Sequence, residues 1–168
     1  MNDKPIKLKS KNTDPDIEAK MLTTLEDIKN KLEDIKNKKL GLQHYPIRQL
    51  IKDTEAFGKA LNKQGLKTNQ IRKFLDSVNR IKTEIAVKTR DMESESGVIS
   101  LEQIPKIETQ VVLLKQKIDY AAAKQKAVIP LQKVMDIAIE QVHDVEDFER
   151  LFQLVESIIA YHKAEGGE

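Results

Sequence analysis

Residues 66–90 read LKTNQIRKFLDSVNRIKTEIAVKTR. Ile71, Phe74, Leu75, Val78, Ile81 and Ile85 recur three and four positions apart, which collects them on one side of an α-helix. Thr68, just after Gly65, has a hydroxyl able to accept from a free backbone N–H at the helix start. The other side carries Arg72, Asn79, Thr83 and Arg90 in one row, with Lys73 and Arg80 next to it. One flank is built for burial and the other to hold an anion, with no catalytic group between them. A merely solvated helix face gives the same pattern, so the rest of the chain must decide.

Upstream, Asp14 followed by Pro15 reads as a cap and first helical position. The repeat LEDIKNK LEDIKNK over residues 25–38 then places Leu25, Ile28, Leu32 and Ile35 at coiled-coil spacing. Acid–Lys pairs three or four residues apart support this helix, which Gly41 is expected to close. Its narrow apolar seam must pack on something, either the body of the protein or a second copy. The next helix is expected from Pro46 to about Asn62, with Ile47, Leu50, Ile51, Phe57 and Leu61 inward and Gly65 ending it.

Downstream, the 66–90 pattern predicts a helix over about 69–93, followed by a loop at 94–100. Ser100 and Gln103 have capping-box spacing, while Pro105 offers another first turn. A fourth helix reaches about Gln125, with Ile107, Val111, Leu114, Ile118 and Ala121 inward and Lys106, Lys117 and Lys124 in one row. Tyr120-Ala121-Ala122-Ala123 reads as a surface that another helix could approach, with Tyr120 packed or, alternatively, stacked on a base. Pro130 opens a fifth helix to about Gln141, with Leu131, Val134, Ile137 and Ala138 inward. Asp144 caps the sixth, which Gly166 and Gly167 stop.

The expected fold is therefore all-α. A helical bundle of about five helices occupies residues 45–168. An amphipathic helix with two heptads, a possible oligomerisation element, covers 14–41, after a disordered basic N-terminus at 1–13. Charged residues at 33% and aromatics at 4% agree with long helices around an aliphatic core. The absence of cysteine excludes disulfides, thiolate metal sites and a thiol nucleophile. The start, MNDKPIKLKS, lacks the apolar centre of a signal peptide, and no uncharged stretch approaches membrane-spanning length, so a cytoplasmic protein is expected, with no membrane partner.

Net charge is +2, but it is unevenly spread. Residues 67–90 hold seven Lys/Arg against two acids, 105–130 five against two, and 131–168 three against nine. Such a chain can meet a polyanion on one face and a basic protein on another, or pair its own faces internally.

Three segments, KTNQIRKFLDSVNRI at 67–81, LLKQKIDYAAAKQK at 113–126 and DFERLFQLVESIIAYHKAEGG at 147–167, together resemble the small subunit of type III-A CRISPR effector (Csm) complexes. The resemblance covers roughly residues 66–167. Gln116 departs from a proline frequent in the family, Ala123 from glycine, and Lys124 from arginine, which exchanges a planar fork for a point charge. It implies a non-catalytic helical subunit, present in more than one copy, lying along the guide RNA–target RNA duplex beside other subunits of the complex.

On this reading Lys67, Arg72, Lys73, Arg80, Lys117 and Lys124 meet RNA phosphates, and no cofactor or metal is expected. About three such contacts give a salt slope near −2, so a fourfold rise in salt would weaken isolated binding roughly 15- to 20-fold. An enzyme fits poorly, because His44, His143 and His162 show no metal-binding spacing and the carboxylates at 144–149 suit helix capping. The remaining class is a helical adaptor that dimerises through residues 15–40 without touching nucleic acid.

Overall fold

The structure, a computed structural model, describes residues 14–166. The basic segment expected to be disordered at 1–13 lies outside the described residues, as does Gly167. Six α-helices and no strand occur among the described residues: α1 (Pro15–Asn37), α2 (Ile47–Lys63), α3 (Arg72–Thr89), α4 (Ile107–Lys124), α5 (Ile129–Glu140) and α6 (Val145–Ala164). The all-α expectation holds. α6 lies along α2, α1 covers α2 and α5, and α4 sits between α3 and α5.

The heptad seam of α1 is consumed inside the molecule. Met21, Leu25, Ile28, Leu32 and Ile35 are all buried where α1 packs on α2 and α5. Of the two surfaces the sequence left open, the seam meets the body. α1 ends differently from expectation: Lys39, not Gly41, takes the left-handed turn (φ 52°), with Leu40 N–H donating to Ile35 C=O at 3.0 Å. Gly41 has an ordinary φ, but a Cβ there would fall on the Asp147 carboxylate. That carboxylate is 1% exposed and accepts from Gln43 N–H (3.0 Å) and His143 N–H (3.0 Å), fastening the chain after α1 to the start of α6.

α2 is rotated relative to the apolar arc read from sequence. Leu50, Phe57 and Leu61 are buried as expected, but Ile47 and Ile51 are 43% and 39% exposed. Asp53 and Thr54 are buried with them, because each finds a partner: Tyr45 Oη donates to Asp53 at 2.6 Å, and the Thr54 and Ser157 hydroxyls lie 2.6 Å apart. Hydrogen bonds admit these polar groups to the core, which a hydrophobic pattern cannot register. Burial and the Asp53 hydrogen bond hold the Tyr45 phenol well above its usual range. Gly58 lets α2 and α6 touch, since a Cβ there would stand 2.6 Å from Ile158 C=O and 2.9 Å from Tyr161 Cβ. Gly65 (φ 91°) ends α2 as expected, with Leu66 N–H returning to Leu61 C=O at 3.0 Å.

Three further expectations shift. A 3-10 turn at Thr68–Ile71 precedes α3, and Gln70 Oε1, not the Thr68 hydroxyl, accepts from the backbone N–H of Lys67 at 3.0 Å. α3 stops at Thr89 rather than near 93, because the buried stripe ends at Ile85 and Val87 is 60% exposed, leaving no burial to hold another turn. The Ser100–Gln103 capping box exists but closes a 3-10 turn at Leu101–Gln103, and α4 begins only after Lys106, whose φ is 68°. Lys106 therefore does not share a helical row with Lys117 and Lys124. The inward residues expected for α4 are all buried, and Ile137 of α5 is half-buried.

Candidate nucleic-acid interface

α3 and α4 run antiparallel, so the first turn of one stands beside the last turn of the other. Gln70 Nε2 donates to Gln125 Oε1 at 3.4 Å at this end, and Gln110 Nε2 donates to Glu84 at 2.9 Å nearer the other. Ile71 and Phe74 anchor α3 in the core, and Ile118 and Ala121 anchor α4, each at most 9% exposed. Between the anchored edges lies an open groove of about 490 Å³. Arg72, Lys73, Lys117 and Lys124 line it, together with Tyr120 and the side-chain amides of Asn69, Gln70, Gln116 and Gln125.

Four of the six residues expected to meet RNA thus converge on one groove. Arg72, Lys73 and Lys124 are exposed and Lys117 is half-buried, and none of the four forms an ion pair among the described residues. They also lie about the N-terminal end of α3, where the helix dipole favours negative charge. Lys67 stands at the exposed entry to the 3-10 turn without lining the groove. Arg80 lies two helical turns away, where its guanidinium donates to the Ser77 hydroxyl at 3.2 Å. There Gln110 first, then Lys88 and Arg80, hold the Glu84 carboxyl below its usual range. Lys88 pairs with Glu84 at 3.5 Å, which partly neutralises the cationic surface beyond the groove, and also donates to Pro105 C=O at 2.8 Å.

The sequence offers Tyr120 as a packing residue or, alternatively, as one that stacks on a base. It is 56% exposed, with the Lys124 ammonium 4.6 Å from its ring centre. That cation, aided by Lys73, holds the phenol below its usual range. A signal for this was present. Positions i and i+2 on a helix are about 200° apart, so Tyr120 cannot share the buried side of Ile118, whereas Gln116, Lys117 and Lys124 lie three or four residues from it. Of the three alanines that follow, Ala121 and Ala122 are buried and Ala123 is exposed.

The three histidines have different surroundings. His44 and His143 are exposed, and His162, fully buried, lies with Nε2 2.5 Å from Leu66 C=O. Among the described residues no group of three or more His, Cys, Asp or Glu side chains could hold a metal ion, and no helix is long and apolar enough to cross a membrane.

Fold and groove together define a small all-helical protein with a concave cationic surface between α3 and α4. The sequence profile of the family described as Csm2 Type III-A matches residues 44–168, and the chain belongs to that family. It is accordingly a small subunit of a type III-A CRISPR effector complex, whose other subunits are its partners. No curated protein and no solved structure gives a match. The match starts earlier than the resemblance read from sequence and takes in α2, but it leaves out α1.

Proposed function

We propose that the chain is a non-catalytic, cytoplasmic, RNA-binding subunit that touches the guide and target RNA through its backbone phosphates, repeated in several copies along the complex. The observation that carries this reading is the convergence of Arg72, Lys73, Lys117 and Lys124 on one open groove without carboxylate partners among the described residues. Lys and Arg side chains so presented neutralise phosphates without reading bases. One copy holds RNA weakly, and repetition along an assembly raises the effective affinity.

The test is titration of a fluorescent single-stranded RNA against the parent and an Arg72→Glu/Lys73→Glu variant at several salt concentrations. The variant is expected to bind at least about tenfold more weakly at low salt, with a shallower salt slope and unchanged helicity. Equal binding and equal assembly of the two proteins would favour the adaptor reading instead. Glu146, Glu149 and Glu156 are exposed on α6 and are proposed to meet basic faces of neighbouring subunits. Alanine at all three should weaken assembly; unaltered assembly removes that contact.

A further inference from the structure

We propose that the α3–α4 groove receives one unstacked nucleotide of an RNA strand, with its base laid on Tyr120 and its flanking phosphates met by Arg72, Lys73 and Lys124. This deepens the RNA-binding reading and rests on it.

Contact with a backbone alone requires only cations within reach of the phosphates. This groove has more. Its volume, about 490 Å³, falls within the range of about 300–1,000 Å³ typical of small-ligand sites. Ile71, Phe74 and Ala121 close its floor from within the core, and the apolar surface open to a base is that of the Tyr120 ring. Tyr120 stands at its edge with more than half of its surface open, so the ring is not spent on packing. An aromatic ring beside a cationic track is the arrangement that holds unpaired nucleotides, because every base has a π-face whatever its sequence. Lys124, already over the ring, places positive charge where the phosphate of a stacked nucleotide would pass.

The amides add a second layer. Gln70 is engaged, accepting from Lys67 N–H and donating to Gln125. The amide groups of Asn69 and Gln116 make no hydrogen bond among the described residues, and they line the same groove. An amide carries both donors and an acceptor, so it can serve the edge of any base after a simple rotation. The site is therefore expected to take a base without strong sequence preference. It also rejects a base held in a duplex, whose faces are covered by its stacked neighbours.

The experiment compares the intact parent chain with Tyr120→Leu and Tyr120→Phe. Each is titrated with a single-stranded oligouridylate and with an abasic ribose-phosphate oligomer of the same length and charge. The parent and Tyr120→Phe are expected to prefer the base-bearing strand by about fivefold or more, and Tyr120→Leu to lose that preference while keeping the salt slope. Tyr120 is exposed, so both variants should fold, and equal melting temperatures check this. Equal binding of both strands by the parent, or a preference that survives in Tyr120→Leu, overturns the nucleotide site. Loss of oligouridylate binding in Arg72→Glu/Lys73→Glu would still uphold the backbone reading in that case. Absence of binding to either strand at low salt defeats both. Free adenosine monophosphate should show no saturable binding below the millimolar range; tight binding would reassign the groove to a mononucleotide ligand.

Discussion

Two pairs of helices in this protein solve opposite problems. α2 and α6 touch at Gly58 with no room for a methyl group, and buried hydroxyls of Thr54 and Ser157 meet across them. α3 and α4 are joined near their ends by Gln70–Gln125 and Gln110–Glu84 and part between rows of cations and one open tyrosine. The first interface gains stability by excluding water. The second keeps its charged side chains wet and available, and contributes stability only through its buried edge. Stability and binding are therefore carried by different residues, and substitutions should separate them.

The largest effect is expected at the closed interface. Gly58→Ala gains about 1 kcal/mol of helix propensity, but it drives a methyl group into the backbone of α6. The net loss should be about 3 kcal/mol, read as a lower denaturation midpoint with RNA affinity unchanged in the folded fraction. A neutral Gly58→Ala would show that α2 and α6 are not closely apposed. Tyr45→Phe removes one donor from the buried Asp53 carboxylate, leaving Gln49 Nε2 at 2.8 Å as its other side-chain donor among the described residues. A loss of about 2 kcal/mol is expected by the same measurement.

A smaller effect belongs to the α4–α5 flank. Asp136 has one buried oxygen without a hydrogen-bond partner among the described residues, and burial first, then the charge of Asp119, pushes its pKa up to about 6. The unfolded chain ionises this group near its ordinary value, so between about pH 4 and 6 the folded state holds more of the proton. Stability should fall as pH rises through that window and then level off. Asp136→Asn should remove the slope and raise stability at pH 7 by about 1 kcal/mol, a figure that allows for solvent screening. A parent slope unchanged in Asp136→Asn would assign the effect elsewhere.

The open interface should show the smallest changes in stability and the clearest changes in binding. Arg72→Ala and Lys73→Ala are expected to alter stability by less than about 0.5 kcal/mol, since both side chains are exposed. Arg80→Ala should weaken RNA binding less than Arg72→Ala does, because Arg80 lies outside the groove and near Glu84. The reverse order would move the interface along α3, away from Tyr120.

Much of this arrangement could be read in the chain. The stripe Ile71–Ile85 marked α3, the spacing of Ile107 to Ala121 marked α4, and Gly65 marked the end of α2. Four groove cations were named from their place on the far side of those stripes. Periodicity reveals which side of a helix is buried, because that depends on neighbours three and four residues away. It does not reveal which helix lies opposite, so the Thr54–Ser157 contact and the Gln70–Gln125 bridge could not be anticipated across 103 and 55 residues.

The doubled heptad shows the same division within α1. Its seam was legible, and its partner was not, because an apolar stripe is equally satisfied by the body or by another copy. The structure gives it α2 and α5, so a helix outside the family match shares the common core.

By itself the sequence determined six helical segments, the apolar side of most of them, and a concentration of positive charge in residues 67–90 and 105–130. All of these are local properties, written in residue type and in spacings of three, four and seven. Tertiary structure alone decided that Arg72 and Lys124 share one groove, that Arg80 stands outside it, and that Tyr120 faces solvent there. Those outcomes depend on how two distant helices are packed, and packing is settled by the shape and hydrogen bonding of the whole core.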